Sequence, residues 1–169
     1  MSLRLLAAAV LHLLLALAGC GAGGGPLELV SAEPPSGAEA AGKRAERQGG
    51  NDPDAGERIF KLRPTEGDPL TYTVALRNPT SEVVSVTGVV ADEDRDGAFV
   101  PERIDNGPVQ IEPGATAPVT VEGTVHGCRY GGQMVPLAGP ELELRTDGHT
   151  STQQTDLDIR VELVVQGCS

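Results

Sequence analysis

Leu70-Thr71-Tyr72-Thr73-Val74-Ala75-Leu76-Arg77 decides the fold of this chain. Leu70, Tyr72, Val74 and Leu76 take every second position, and Thr71, Thr73, Ala75 and Arg77 take the others. Side chains on a strand point alternately to opposite faces, so this period places one face in a core and turns the other to water. A helix needs apolar positions three or four apart. Asn78-Pro79-Thr80-Ser81 then supplies a turn. Beyond it, Val84, Val86, Gly88 and Val90 alternate with Val83, Ser85, Thr87 and Val89.

The same period continues downstream. Pro113-Gly114 marks another turn, and Val119, Val121, Gly123 and Val125 alternate with Thr120, Glu122, Thr124 and His126. Glu141-Leu142-Glu143-Leu144-Arg145 is a shorter alternating run that ends at Asp147-Gly148. Leu157, Ile159, Val161, Leu163 and Val165 close the series. Period two dominates residues 57–166, and short strands between Gly/Pro turns predict an all-β sandwich or barrel. The order of alternating strand, Asn-Pro-Thr turn, Val-rich strand, Pro-Gly turn and Val-rich strand resembles bacterial immunoglobulin-like or fibronectin-like modules. That resemblance implies an antiparallel β-sandwich over 57–169 and carries no function with it. The Trp of antibody-type domains is missing.

Upstream, the chain changes character. Arg4 is the only Lys, Arg, Asp or Glu before Cys20, and Leu5 to Leu17 is almost wholly Leu, Ala and Val. A basic start, a short apolar run and small residues at the cut form a secretory leader over 1–19. The run is shorter than the ~20 residues of a spanning helix. Leu17-Ala18-Gly19-Cys20 resembles the lipobox of bacterial lipoproteins. The resemblance implies a diacylglyceryl group on the Cys20 thiol and cleavage before Cys20, whose amine is then open to acylation (a palmitate or similar chain). It places the mature protein on the extracytoplasmic face of the cell membrane, with the membrane and an envelope or extracellular protein as partners. Two or three acyl chains suffice for stable anchoring where one is marginal. Residues 21–56 are rich in Gly, Ala, Pro, Glu and Ser, and no apolar period persists in them. They lack the burial that would offset ordering, so 20–56 is predicted to be a lipidated N-terminus and flexible tether.

There are three cysteines, Cys20, Cys128 and Cys168. Lipidation of Cys20 leaves an even pair, which an exported protein is expected to join as a disulfide. Cys128 lies past the strand ending near His126, and Cys168 past the strand ending near Val165. A Cys128–Cys168 bridge therefore requires those two strand ends to share one edge of the sandwich.

The formal charge of −11 becomes −12 once Arg4 leaves with the leader. This balance argues against nucleic acid, whose phosphates need Lys and Arg. It equally argues against a polybasic grip on anionic lipid. Phe60, Tyr72, Phe99 and Tyr130 are the only aromatics, which weakens a sugar-binding reading and leaves the core to Val, Leu and Ile.

Asp92-Glu93-Asp94-Arg95-Asp96-Gly97 matches the first half of a calcium loop, with Asp92, Asp94 and Asp96 as ligands and Gly97 permitting the turn. The second half does not follow: position twelve is Arg103, and Glu102 falls one residue early. Calcium through this loop is the metal alternative to a binding or structural role. Copper through His126, Met134, His149 and Cys128 is a weaker one, because the spacing matches no His/Met signature and Cys128 is expected to be bridged. A surface His and a core Met are the plainer expectation. There is no Gly-x-Ser-x-Gly elbow, His-Glu-x-x-His or phosphate-binding glycine loop, so the sequence predicts a non-enzymatic domain. Glu141 with Glu143, and Asp156 with Asp158, read as solvated strand faces.

Overall fold

The computed structural model describes residues 25–43, 57–91, 98–128 and 134–168. Among these residues all regular structure is strand, in twelve segments. They are β1 (Glu28–Glu33), β2 (Glu39–Lys43), β3 (Arg58–Leu62), β4 (Pro69–Arg77), β5 (Val84–Val89) and β6 (Phe99–Ile104). Then come β7 (Val109–Ile111), β8 (Thr116–Val125), β9 (Met134–Pro136), β10 (Glu141–Thr146), β11 (His149–Gln154) and β12 (Ile159–Val164). They form three four-stranded sheets in the orders β1-β4-β8-β6, β11-β10-β5-β7 and β2-β3-β12-β9. The fold is an all-β sandwich-like arrangement.

The run that opens the sequence argument is β4, paired antiparallel with β8 along its whole length from Pro69↔Thr124 to Arg77↔Thr116. Leu70, Tyr72, Val74 and Leu76 are buried there, as are Val119, Val121 and Val125 of β8. They join Leu142 and Leu144 of β10 and Ile159, Val161 and Leu163 of β12 in one apolar cluster. One pairing departs from the antiparallel expectation: β12 runs parallel to β3 from Ile159↔Arg58 to Leu163↔Leu62.

In β5 the alternation changes phase. Val84, Val86 and Val89 are buried, so the sequence expectation that Val90 continues the inward series fails. Leu144 pairs with Val86 but Glu143 pairs with Gly88, which leaves Thr87 as an extra residue. Such a bulge shifts the facing of every later side chain by one. The Thr87 hydroxyl donates to the Glu143 carbonyl across the bulge at 3.2 Å.

The tether expectation is corrected over residues 25–43. β1 pairs with the edge of β4 and β2 with the edge of β3. Three contacts hold this segment. The buried Gln153 amide clamps Leu27, accepting its N–H at 3.1 Å and donating to its carbonyl at 2.6 Å. Asp158 accepts the Ala32 N–H at 2.7 Å, and Arg58 donates to the Ala32 carbonyl at 3.3 Å. Leu27 and Ala32 are buried. Edge pairing is made by main-chain groups and needs little apolar content, so composition alone does not exclude it. The leader at 1–19, Cys20, residues 44–56 and the Asp92–Asp96 loop lie outside the described residues.

Two turns follow from residue chemistry. Asp147 and Gly148 both take positive φ, at 44° and 81°, and Thr146 pairs with His149 across them. A two-residue hairpin loop with both centres left-handed is the geometry that Asp-Gly favours. At the other turn, Ala115 donates to Glu112 at 3.0 Å with Gly114 at φ 73°. Pro at the first centre and a left-handed Gly at the second suit that turn. Asn78 anchors its far side, fully buried. Its amide donates to the Glu82 and Ile111 carbonyls at 2.7 and 2.8 Å, and its side-chain oxygen accepts from the Thr80 N–H and hydroxyl.

Candidate binding surface

The connection from β3 to β4 is stitched to two strand ends at once. Gln166, just past β12, donates to the Pro64 carbonyl at 2.7 Å and accepts from Glu66 at 3.4 Å. On the other side Gly67 donates to Val125, the last residue of β8, at 2.9 Å, and Val125 donates back to Asp68 at 3.0 Å. Asp68 turns the segment by accepting the Thr65 N–H at 2.7 Å. The ends of β8 and β12 therefore meet at one corner. Cys128 and Cys168 follow those ends, are disulfide-bonded, and have Cα atoms 5.2 Å apart, inside the range a bridge needs.

The Glu66 carboxylate braces this corner. One oxygen accepts the Cys128 N–H at 2.8 Å, and the other lies 3.5 Å from His126 Nδ1. His126 is half exposed. The copper candidates are thereby assigned to other places. Cys128 is in the disulfide, His126 faces a carboxylate, and His149 opens β11 on an exposed position. Met134 lies on β9 at 50% exposure, not in the core as the sequence suggested. It sits on a three-residue strand at a sheet edge, where only Val135 turns inward. Among the described residues no three His, Cys, Asp or Glu side chains are grouped to hold a metal.

Two solvent-open depressions stand out among the described residues. One, of about 360 Å³, lies beside the corner and is walled by Pro35, Pro64 and Pro69 with Leu62, Arg63 and Asp68. The other, of about 400 Å³, lies on the outer face of the β11-β10-β5-β7 sheet. There Gln110, Ser85, Arg145 and Thr150 form one row of direct cross-strand partners, with Glu82 and Asp147 nearby. Both are open to solvent; the first is walled largely by proline and leucine, and the second by polar and charged side chains. Enclosed apolar pockets are what small ligands usually occupy. Glu143 is exposed beside buried Leu142 and Leu144, as the strand period predicts. Asp158 is different: it binds the β1 backbone and Arg58, at 3.5 Å.

Sequence reasoning brought Cys128 and Cys168 together correctly. It missed Gln153, Arg58 and Asp158, whose partners include main-chain groups far away in sequence, and the buried anchoring role of Asn78, which holds Thr80, Glu82 and Ile111. Only Asn78 carries a local signal, its Asn-Pro-Thr turn. A comparison with protein-family models finds no match, and a search of curated proteins finds no similar sequence.

Proposed function

We propose that the chain is an extracytoplasmic lipoprotein, anchored to the cell membrane through Cys20, whose β-sandwich binds or scaffolds without catalysing. The observation that carries the reading is Leu17-Ala18-Gly19-Cys20 at the end of an apolar leader. The cysteine ledger supports it: with Cys128 and Cys168 bonded to each other, Cys20 is the remaining thiol. The acidic composition, the scarcity of aromatics and the open depressions favour contact with a protein over nucleic acid or sugar.

The pairing of β1 and β2 with β4 and β3 shortens the tether. Gly25 lies five positions after Cys20, a reach of at most about 18 Å. A domain on such a leash works next to the bilayer, not at a distance from it. Replacing Cys20 by Ser tests the anchor. The expected result is loss of membrane association or an unprocessed precursor. A mature N-terminus other than an acylated Cys20, read by mass spectrometry, would overturn the reading.

A further inference from the structure

The described arginines fall into two groups. Arg58, Arg77, Arg103 and Arg160 each meet a carboxylate. Among the described residues, Arg63 and Arg145 meet none, and each lines one of the two depressions. Arg145 has the more polar surroundings. Leu144, Val84, Val86 and Ile111 are buried, so Arg145, Ser85 and Gln110 point to the outer face. They are direct cross-strand partners on β10, β5 and β7, with about 4.8 Å between neighbouring strands. Among the described residues, none of these three side chains has a hydrogen-bond partner. A guanidinium fork, a hydroxyl and an amide side by side offer several donors and no negative charge, which suits a carboxylate.

Glu82 and Asp147 line the same depression, yet neither pairs with Arg145. Topology explains the gap. β5 and β10 run antiparallel with Ser85 opposite Arg145. Glu82, ahead of β5, and Asp147, beyond β10, therefore lie together at one end of the sheet, past the row of donors. Asp147 is two positions from Arg145, an offset of about 7 Å on extended chain. Both acids stand on fixed backbone. The Glu82 carbonyl accepts from the Asn78 amide at 2.7 Å and from the Thr80 hydroxyl at 3.1 Å. Asp147 is held in the two-residue hairpin loop. On the other side of Arg145, Glu143 is turned across Gly88, where a Cβ would come within 2.7 Å of its carboxylate. Val83, 39% exposed, adds an apolar contact.

We propose that this end of the outer face binds an extended segment of a partner protein that presents a carboxylate side chain and, two residues along, a basic side chain. The carboxylate meets Arg145, Ser85 and Gln110, and the cation meets Glu82 and Asp147. Alternate residues of an extended chain share a face about 7 Å apart, which matches the offset between the donors and the acids. In a free amino acid the two charges sit on one carbon and do not span it. The depression holds one cation and two anions, so a lone carboxylate is opposed by its neighbours, and the adjoining basic side chain offsets that opposition. The fixed backbone lowers the ordering cost of binding. This inference rests on the proposed binding role and names the chemistry of the partner.

The test is a titration, at low salt, of the isotopically labelled full chain carrying Cys20→Ser, so that it does not depend on the anchor. The probe is the peptide Thr-Glu-Thr-Lys-Thr, blocked at both ends, and backbone amide shifts report both place and affinity. Shifts are expected at Ser85, Gln110 and Arg145. Replacing the peptide's Glu by Gln, or Arg145→Gln in the protein, should weaken binding about fivefold or more. Arg145 is exposed, so core amides should keep their shifts in that variant. Arg63→Gln, at the other unpaired arginine, should leave the affinity unchanged. Absence of shifts at the three residues would overturn the proposal, as would undiminished binding by the Gln peptide or by Arg145→Gln. Free glutamate moving the same amides as strongly would overturn the extended-segment assignment. Any of these results removes this surface and leaves the anchor at Cys20 to its own test.

Discussion

At the scale of single residues, Asn78 and Tyr72 make opposite demands on the same core. Every polar atom of the Asn78 side chain is used, holding the β4 end to Glu82, Ile111 and Thr80. Asn78→Ala strands the buried Ile111 carbonyl, whereas the Glu82 carbonyl keeps the Thr80 hydroxyl as a donor at 3.1 Å. A loss of roughly 1–3 kcal/mol is expected, read as a lower urea midpoint at unchanged slope. Tyr72 is 2% exposed, and its ring meets Phe99 edge-on at 5.7 Å. Its hydroxyl is buried without a hydrogen-bond partner. Tyr72→Phe keeps the ring contact and removes that orphan, so a gain of about 1 kcal/mol is expected. Burial also holds the Tyr72 phenol above its ordinary value of 10.0. A group whose folded pKa is raised contributes stability that is fully present below the unfolded pKa and lost as pH rises beyond it. Stability should therefore fall above about pH 10, and Tyr72→Phe should flatten that fall in urea melts taken at successive pH values.

At the scale of elements, β4, β5, β8, β10 and β12 are legible because each writes a period of two in large apolar residues. β1, β2 and β11 are not, because their stability comes from main-chain ladders and from distant side chains such as Gln153 and Asp158. Asp147-Gly148 was visible as a turn, yet the run after it is polar and carries no strand signal of its own. The bulge at Thr87 is a matter of partner register, which one strand's sequence does not encode. The candidate surface divides the same way: the cysteine pair could be reasoned from compartment and parity, whereas a row of side chains across strands becomes visible only when the neighbours of each strand are known. The tether correction gives a direct check. Amides of β1 that bond to β4 should exchange slowly, and proteases should spare Leu27–Lys43. Exchange across Glu28–Glu33 at the rate of an unstructured peptide would restore the tether reading.

At the scale of the molecule, the disulfide and the clamp on Leu27 restrain different parts of the same chain. The bridge closes 40 residues between the end of β8 and the end of β12, which on the chain-entropy model contributes about 4 kcal/mol. Cys168→Ser should lower stability by up to that amount and leave the Glu66 contact to Cys128 N–H intact, since that bond uses the backbone. The N-terminal end is held by the clamp on Leu27, only seven residues from Cys20. On the proposed anchor at Cys20, that clamp sets how far the domain can stand from the membrane. An acidic body of formal charge −12 near an anionic head-group surface is repelled by it, so the leash should be drawn out toward its limit. A fluorophore placed at Pro26→Cys should then lie about 20 Å or less from the head groups, measured by energy transfer to acceptors in the bilayer plane. Raising salt should shorten the distance, because screening removes the repulsion that extends the leash. A mean distance well beyond 30 Å would mean that β1 has peeled away or that the anchor lies elsewhere, and either outcome would break the link between this fold and a membrane-proximal role.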